Sequence, residues 1–344
     1  MISLRAYLDD WASAQGDRAA LAATLNALAE GAAELAGLIA EGPLAGDLGE
    51  VVGDSRDGDG QKLLDRRADA LFLERLRAAP VRAALSEEQA EPVALQPGAP
   101  LVVALDPLDG SNNIAINAPL GTIFSVLPAG EEGADPAAAF LTQGERQLAA
   151  GFVLFGPHTV LVLTVREGVQ TFVLDRARGE FHLTQRDIRI PEHRREYAIN
   201  SSNNRFWPLP VRAYVEECVA GREGPRGADY NTRWLGALVG EAYRILLRGG
   251  IYLYPSDTRP AYRRGRLRLL YEANPIALLV EQAGGAAIDG YHRILELVPE
   301  SVHQNVPLIF GSQAKVERVA HLHAAGVPQA GQRPLFAARG LFRS

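Results

Sequence analysis

Of the 344 residues only one is cysteine, Cys218, which excludes a disulfide within the chain. It stands in the apolar-periodic stretch 211–219, where a buried structural thiol in a reducing compartment is expected. No window reaches the ~18 consecutive apolar residues that a spanning helix needs. The N-terminus, MISLRAYLDDWASAQ, lacks the basic segment and apolar run of a secretory signal. These absences predict a soluble, cytoplasmic protein with no membrane partner. Positive charge is scarce as well: 35 Lys and Arg stand against 41 Asp and Glu, a net charge of −6. No basic patch interleaved with aromatics occurs, so a nucleic-acid partner is not expected. Acidic clusters are better read as cation sites.

What the chain does have is apolar content, 47% of its residues, enough for a large core, and a length that allows two or three domains. Its most informative stretch is 101–111, LVVALDPLDGS. The apolar run 101–105, bounded by Pro100 and Pro107, predicts a buried strand that ends in Asp106. Pro107 is expected to force a turn. Asp109 follows close enough for both carboxylates to reach one cluster of hard cations, which prefer oxygen ligands. Gly110 lets the backbone approach a ligand, and the Gly110 and Ser111 amides with the Ser111 hydroxyl suit phosphoryl oxygens. A bare D-x-x-D-G is equally an ordinary Asx turn, so the rest of the chain has to decide.

Spacings of three and four predict a long amphipathic helix over 19–40, stopped by Gly42 and Pro43. The Gly- and Asp-rich stretch 42–60 is expected to be a mobile loop. A helix over 62–79 follows, with Glu87 and Glu88 in the loop after it. Strands are expected at 102–105, 121–127, 151–155, 160–165 and 171–174. Beyond Pro191, helices are expected at 211–220 and 235–247 and strands at 251–254 and 267–271. Asn274 is expected to cap a helix with Pro275 at its first position, so that Glu272 ends the preceding strand. The tail from Gly326 is expected to be loosely held.

Six segments together carry a resemblance: DPLDGSNNI at 106–114, GTIFSV at 121–126, GGIYLYP at 249–255, GRLRLLYEANP at 265–275, AGG at 283–285 and VHQNVPLIFGS at 302–312. Through them the chain resembles class I fructose-1,6-bisphosphatase of the bacterial type, in one consistent order over residues 17–325. The shorter D-P-x-D-G-[ST]-x-N pattern is shared with inositol monophosphatase-like enzymes, and GRLRLLYEANP narrows it. The resemblance implies a layered α-β-α-β-α fold of two α/β domains, a metal-binding domain at 1–196 and a sugar-phosphate domain at 197–335. It implies hydrolysis of fructose 1,6-bisphosphate to fructose 6-phosphate, in gluconeogenesis or the Calvin cycle.

By the same resemblance, Glu87, Asp106, Asp109, Glu272 and the Leu108 carbonyl hold two or more Mg²⁺, with Mn²⁺ as an alternative. Four carboxylates gathered without cations would repel one another, which agrees with that role. Asp65 and Glu88 match the positions that activate water, and Asp59 a loop residue that approaches when the site closes. Arg268, Gly110 and Ser111 match the 1-phosphate site. Asn200, Arg233, Tyr254 and Arg266 match the 6-phosphate pocket, with the arginine at 233 supplied by a neighbouring subunit of a homotetramer. Asn203 and Trp234 replace tyrosines there, and Arg266 replaces a lysine. Ala115 stands where the motif has aspartate. Two alternatives follow, sedoheptulose-1,7-bisphosphatase activity or a catalytically impaired sugar-phosphate-binding homologue. The AMP site of animal members is not matched: Arg18, Ala19, Ala20 and Ala22, then Pro100, Leu101 and Pro128, stand at its positions, which predicts weak or absent AMP inhibition.

Overall fold

The computed structural model describes residues 1–15, 18–53, 61–131, 133 and 135–325. The chain opens with helix α1 (Leu4–Ser13) and the long α2 (Ala19–Glu41), which ends where Gly42 takes φ +54°. The first part of the stretch expected to be a mobile loop is structured instead, with a 3-10 turn at Gly42–Ala45 and a ribbon of β1 (Val51–Gly53) on β2 (Gln61–Lys62). Asp59 and the tail from Gly326 lie outside the described residues. After α3 (Leu63–Arg77) come β3 (Val81–Ser86), β4 (Val93–Ala94), β5 (Leu101–Asp109), β6 (Leu120–Pro128), β7 (Ala149–Phe155), β8 (Thr159–Thr164), β9 (Gln170–Asp175) and β10 (Glu180–Gln185). These eight form one sheet in the order β10-β9-β8-β7-β6-β5-β3-β4, antiparallel except for the β3–β5 pair.

The remaining elements are β11 (Glu196–Ala198), α4 (Leu209–Val219), β12 (Asn231–Thr232), α5 (Leu238–Arg248), β13 (Ile251–Tyr254), β14 (Leu267–Arg268), α6 (Asn274–Gln282), β15 (Gly285–Ile288), β16 (Asn305–Val306), β17 (Leu308–Ser312) and α7 (Gln313–Ala325). A second sheet has the order β12-β11-β13-β17-β15, and β14 pairs with β16. Strand alternation decides what packs where. Val103, Leu105 and Phe124 of the large sheet bury under Leu28, Leu35 and Phe72 of α2 and α3. Ile123 and Phe152 face the other way, onto Ile245 of α5 and Ile276 of α6, whose far sides meet Tyr252 and Phe310 of the second sheet. Leu253 and Ile309 then face Tyr214 of α4 and Val319 of α7. The result is five layers, helix–sheet–helix–sheet–helix.

Several sequence expectations are corrected. The strand begun at Leu101 runs through Pro107 to Asp109, because a register shift between Asp106 and Asp109 takes up a residue that has no N–H to give. A six-residue strand, β3, separates α3 from Glu87 and Glu88. The helix expected from 235 starts only at Leu238. The strand expected over 267–271 stops at Arg268, and Leu269–Ala273 is a π-helical turn that runs straight into α6. Glu272 therefore sits inside this turn, and Asn274, with φ −61° and ψ −50°, is helical rather than a cap. A wide turn just before Pro275 suits the backbone donor that proline lacks.

Candidate active site

The parallel pairing of β3 on β5 sets Ser86 opposite Leu105, so Glu87, just past the end of β3, comes beside Asp106. The Glu87 amide donates to the Leu105 carbonyl at 3.1 Å. The bulge then brings Asp109 back to the same end, where the first-turn amide of Val239 in α5 donates to its Oδ2 at 2.8 Å. Glu272 arrives from the π turn, its Oε2 accepting from the Arg268 amide at 2.5 Å. Oxygens of Asp106, Asp109 and Glu272 all lie within 4.8 Å of one another. Leu108 sits in the bulge, its side chain in the core and its amide donating to Asp106 Oδ1 at 3.0 Å.

Electrostatics adds Glu87 to the group. Burial pushes Asp106 and Glu272 well above the usual carboxylate range, and for both the Glu87 charge is the next cause in size. Asp109 is pushed up to about 6 by burial, against the pull of the Val239 and Leu238 amides. Buried carboxylates that oppose one another, with oxygen as the only donor type, fit a hard divalent cation.

The beginning of α3 closes one side. Asp65 is buried and accepts from the Lys62 amide at 2.7 Å, while burial raises its carboxyl. Gln61 donates to Glu88, and Lys62 Nζ reaches the Ser111 carbonyl at 3.1 Å and Asn112 Oδ1 at 2.7 Å. Gln61 and Lys62, just before α3, are thus tied to Glu88 and to the turn at 111–112. Gly110 takes φ +81°, and a Cβ there would sit 3.0 Å from Ala237, so only glycine suits the approach of this turn to α5. Arg268 is held by the His303 carbonyl at 3.0 Å and by Asn305. Gln61, Lys62 and Asn305 went unremarked in the sequence reading, and only tertiary contact reveals them.

A cleft of about 120 Å³ leads away from Asp109, walled by Leu238, Trp234, Tyr252 and Tyr254. Trp234 stacks on Tyr252 with ring centroids 5.8 Å apart and planes at 8°. Tyr254 also lines a second recess with Asn200, Asn203, Asp257 and Arg266. Arg266 lies 3.6 Å over the Tyr262 ring. Asn200 caps the turn Ser201–Phe206, accepting from the Ser202 amide at 3.2 Å. Arg233 is not brought to this recess within its own chain. It projects half exposed from the end of β12, with Glu196 at 3.6 Å. Ala115 is exposed on the 3-10 turn Ser111–Ile116.

Comparison with known proteins agrees along the whole length. The profile "Fructose-1-6-bisphosphatase, N-terminal domain" matches residues 5–186, and "Fructose-1-6-bisphosphatase, C-terminal domain" matches residues 190–324. A fructose-1,6-bisphosphatase class 1 of Xanthobacter autotrophicus is 51% identical over 343 residues, covering 99% of this chain and 92% of the relative. The class 1 protein of Acidiphilium cryptum is 52% identical over 345 residues, covering 100% and 96%. The crystal structure of Leishmania major fructose-1,6-bisphosphatase in holo form superposes with a TM-score of 0.87 at 32% identity, covering 94% of this chain and 98% of that one. The acidic strand ends, the cleft beside them and these likenesses lead to one conclusion: the chain belongs to the class 1 fructose-1,6-bisphosphatase family.

Proposed function

We propose that this protein hydrolyses the 1-phosphate of D-fructose 1,6-bisphosphate, releasing fructose 6-phosphate and phosphate. The observation that carries the reading is the cleft itself, which begins at the buried carboxylates and shares Tyr254 with a recess holding Arg266. That arrangement suits a sugar with a phosphate at each end. Glu87, Asp106, Asp109, Glu272 and the Leu108 carbonyl would hold the cations. When bound, two or more Mg²⁺ or Mn²⁺ ions would polarise the phosphoryl group and neutralise the leaving oxygen. Asp65 or Glu88 takes the proton of the attacking water, and the raised carboxyl of Asp65 suits a base. Asp59 belongs to this set by resemblance alone. Gly110, Ser111 and Arg268 hold the reacting phosphate.

Asn200, Tyr254 and Arg266 hold the distal phosphate, and Arg233 serves the pocket of a neighbouring subunit in a homotetramer; its half-exposed side chain, which does not line its own chain's recess, supports that reading. Metal binding thus falls to 1–196, helped by Glu272, and sugar binding to 197–335. The setting is cytoplasmic carbohydrate metabolism, either gluconeogenic or in the Calvin cycle. Asn203 in the recess is shorter than tyrosine, which favours sedoheptulose 1,7-bisphosphate as an additional substrate. The exposure of Ala115, outside the buried carboxylates, argues against a disabled homologue. The test is phosphate release by metal-stripped protein from each bisphosphate, with and without Mg²⁺. Metal-dependent release from fructose 1,6-bisphosphate is expected; silence from folded protein that still binds the sugar would establish the impaired alternative.

A further inference from the structure

The distal recess contains a charge that opposes its proposed ligand. Asp257 lines it together with Arg266, and a phosphate dianion placed there would face a carboxylate. Arg259 answers that charge. Its Nε lies 3.2 Å and 3.0 Å from the two Asp257 oxygens, its amide donates to Asp257 Oδ1 at 2.8 Å, and its Nη2 also meets the carboxylate. The same Nη2 donates to Asn203 Oδ1 at 3.0 Å. Asn203 comes from the turn Ser201–Phe206 on the opposite wall, and the Thr258 amide donates to the Phe206 carbonyl at 3.1 Å. The guanidinium carbon lies 4.3 Å over the Phe206 ring and 4.7 Å over the Tyr262 ring. Arg259 therefore fastens the two walls of the recess to each other.

Its effect on Asn203 follows from hydrogen-bond chemistry. A guanidinium only donates, so it fixes which end of the carboxamide is oxygen, and the Nδ2 amide hydrogens are what Asn203 has left to offer. An amide N–H donor suits a phosphoryl oxygen, whereas a freely flipping carboxamide would present its oxygen half the time. We propose that Arg259 is a positioning residue for the distal phosphate: it masks Asp257 and sets Asn203 as a donor, without touching the reacting phosphate itself. This rests on the proposed bisphosphate activity.

The test compares fructose 1,6-bisphosphate with fructose 1-phosphate, which lacks the distal phosphate, in steady-state kinetics with Mg²⁺. Arg259→Ala is expected to raise KM for the bisphosphate roughly tenfold, the scale of one charge-assisted hydrogen bond, with kcat little changed. Its kcat/KM for fructose 1-phosphate should stay within about twofold of wild type, which a merely structural role would not allow. Asn203→Ala should show the part of the loss that runs through the carboxamide, and the double variant should be no worse than Arg259→Ala alone. Arg259→Lys, which keeps the charge and the fold, should recover only part, because an ammonium lacks the fork that spans both partners. Equal losses on both substrates, additive single losses, or an unchanged KM would overturn the inference. Wild type that releases phosphate from neither sugar would instead overturn the activity on which it rests.

Discussion

Asp106 is 2% exposed and, without a cation, its charge is opposed by Glu87, Asp109 and Glu272. Function and stability therefore pull in opposite directions at this one side chain. Asp106→Asn should lower turnover by about 10³-fold, as loss of a central electrostatic group does, yet raise the melting temperature of the metal-free protein. The sign with pH follows from the raised carboxyl. At low pH the group is protonated in both folded and unfolded chains and costs nothing. As pH rises past the unfolded value of about 4, the unfolded chain releases its proton first and the folded state loses ground. The gain from Asp106→Asn should accordingly be larger at pH 8 than at pH 5 in melting experiments with chelator present. A variant that melts lower at both values would show that the carboxylate stabilises the fold instead. Asp106 and Asp109 were legible in the sequence because an apolar run, a proline and a glycine frame them. Arg259 was not, since nothing in PSDTRPAY announces a partner fifty-odd residues upstream at Asn203.

Among the elements, one close fit that serves the site is between β6 and α5. A Cβ at Gly121 would collide with Val239 Cγ2 and lie 2.5 Å from the Val153 carbonyl oxygen. Val239 is the residue whose amide holds Asp109, so the helix cannot retreat without disturbing the carboxylate. Gly121→Ala is expected to cost about 1–3 kcal/mol through overpacking, read from the denaturant midpoint, together with a loss in kcat/KM. Unchanged kinetics in a destabilised variant would separate the helix position from the chemistry. Element type was easy to read where one pattern ran long, as in α2, β6 and α6. It failed where patterns were short or ambiguous. VRAALS at β3 has the Ala and Leu content of a helix, and LLYEA after β14 continues an apolar run that reads equally as strand. In both places the pairing partner decided the outcome: β5 for the first, and the start of α6 for the second.

Across the whole molecule, the two sheets enclose α5 and α6, and the N-terminal helices cover the outer face of the larger sheet. Among the described residues, several of the positions expected for a nucleotide site are engaged in other contacts. Arg18 lies 4.4 Å over the Trp11 ring and pairs with Glu167 at 2.8 Å, while Leu101 and Pro128 face each other across β5 and β6 as an apolar pair. AMP titrated into the phosphate-release assay up to millimolar levels should leave the rate unchanged; inhibition in the micromolar range would overturn this. The layered architecture was expected from the family resemblance and not from the helix and strand runs, because the five-layer order depends on which strand faces meet which helices, a property of the assembled core.

The carboxylate cluster draws Asp106 and Asp109 from the first third of the chain and Glu272 from the last. During synthesis on the ribosome the aspartates emerge long before the glutamate exists. A product that stops before Glu272, however well its large sheet has formed, lacks a corner of the centre, and one that stops before Val239 also lacks the α5 amide that holds Asp109. Only a chain translated past Glu272 can assemble all three carboxylates, so copies that stop short of it lack part of the centre.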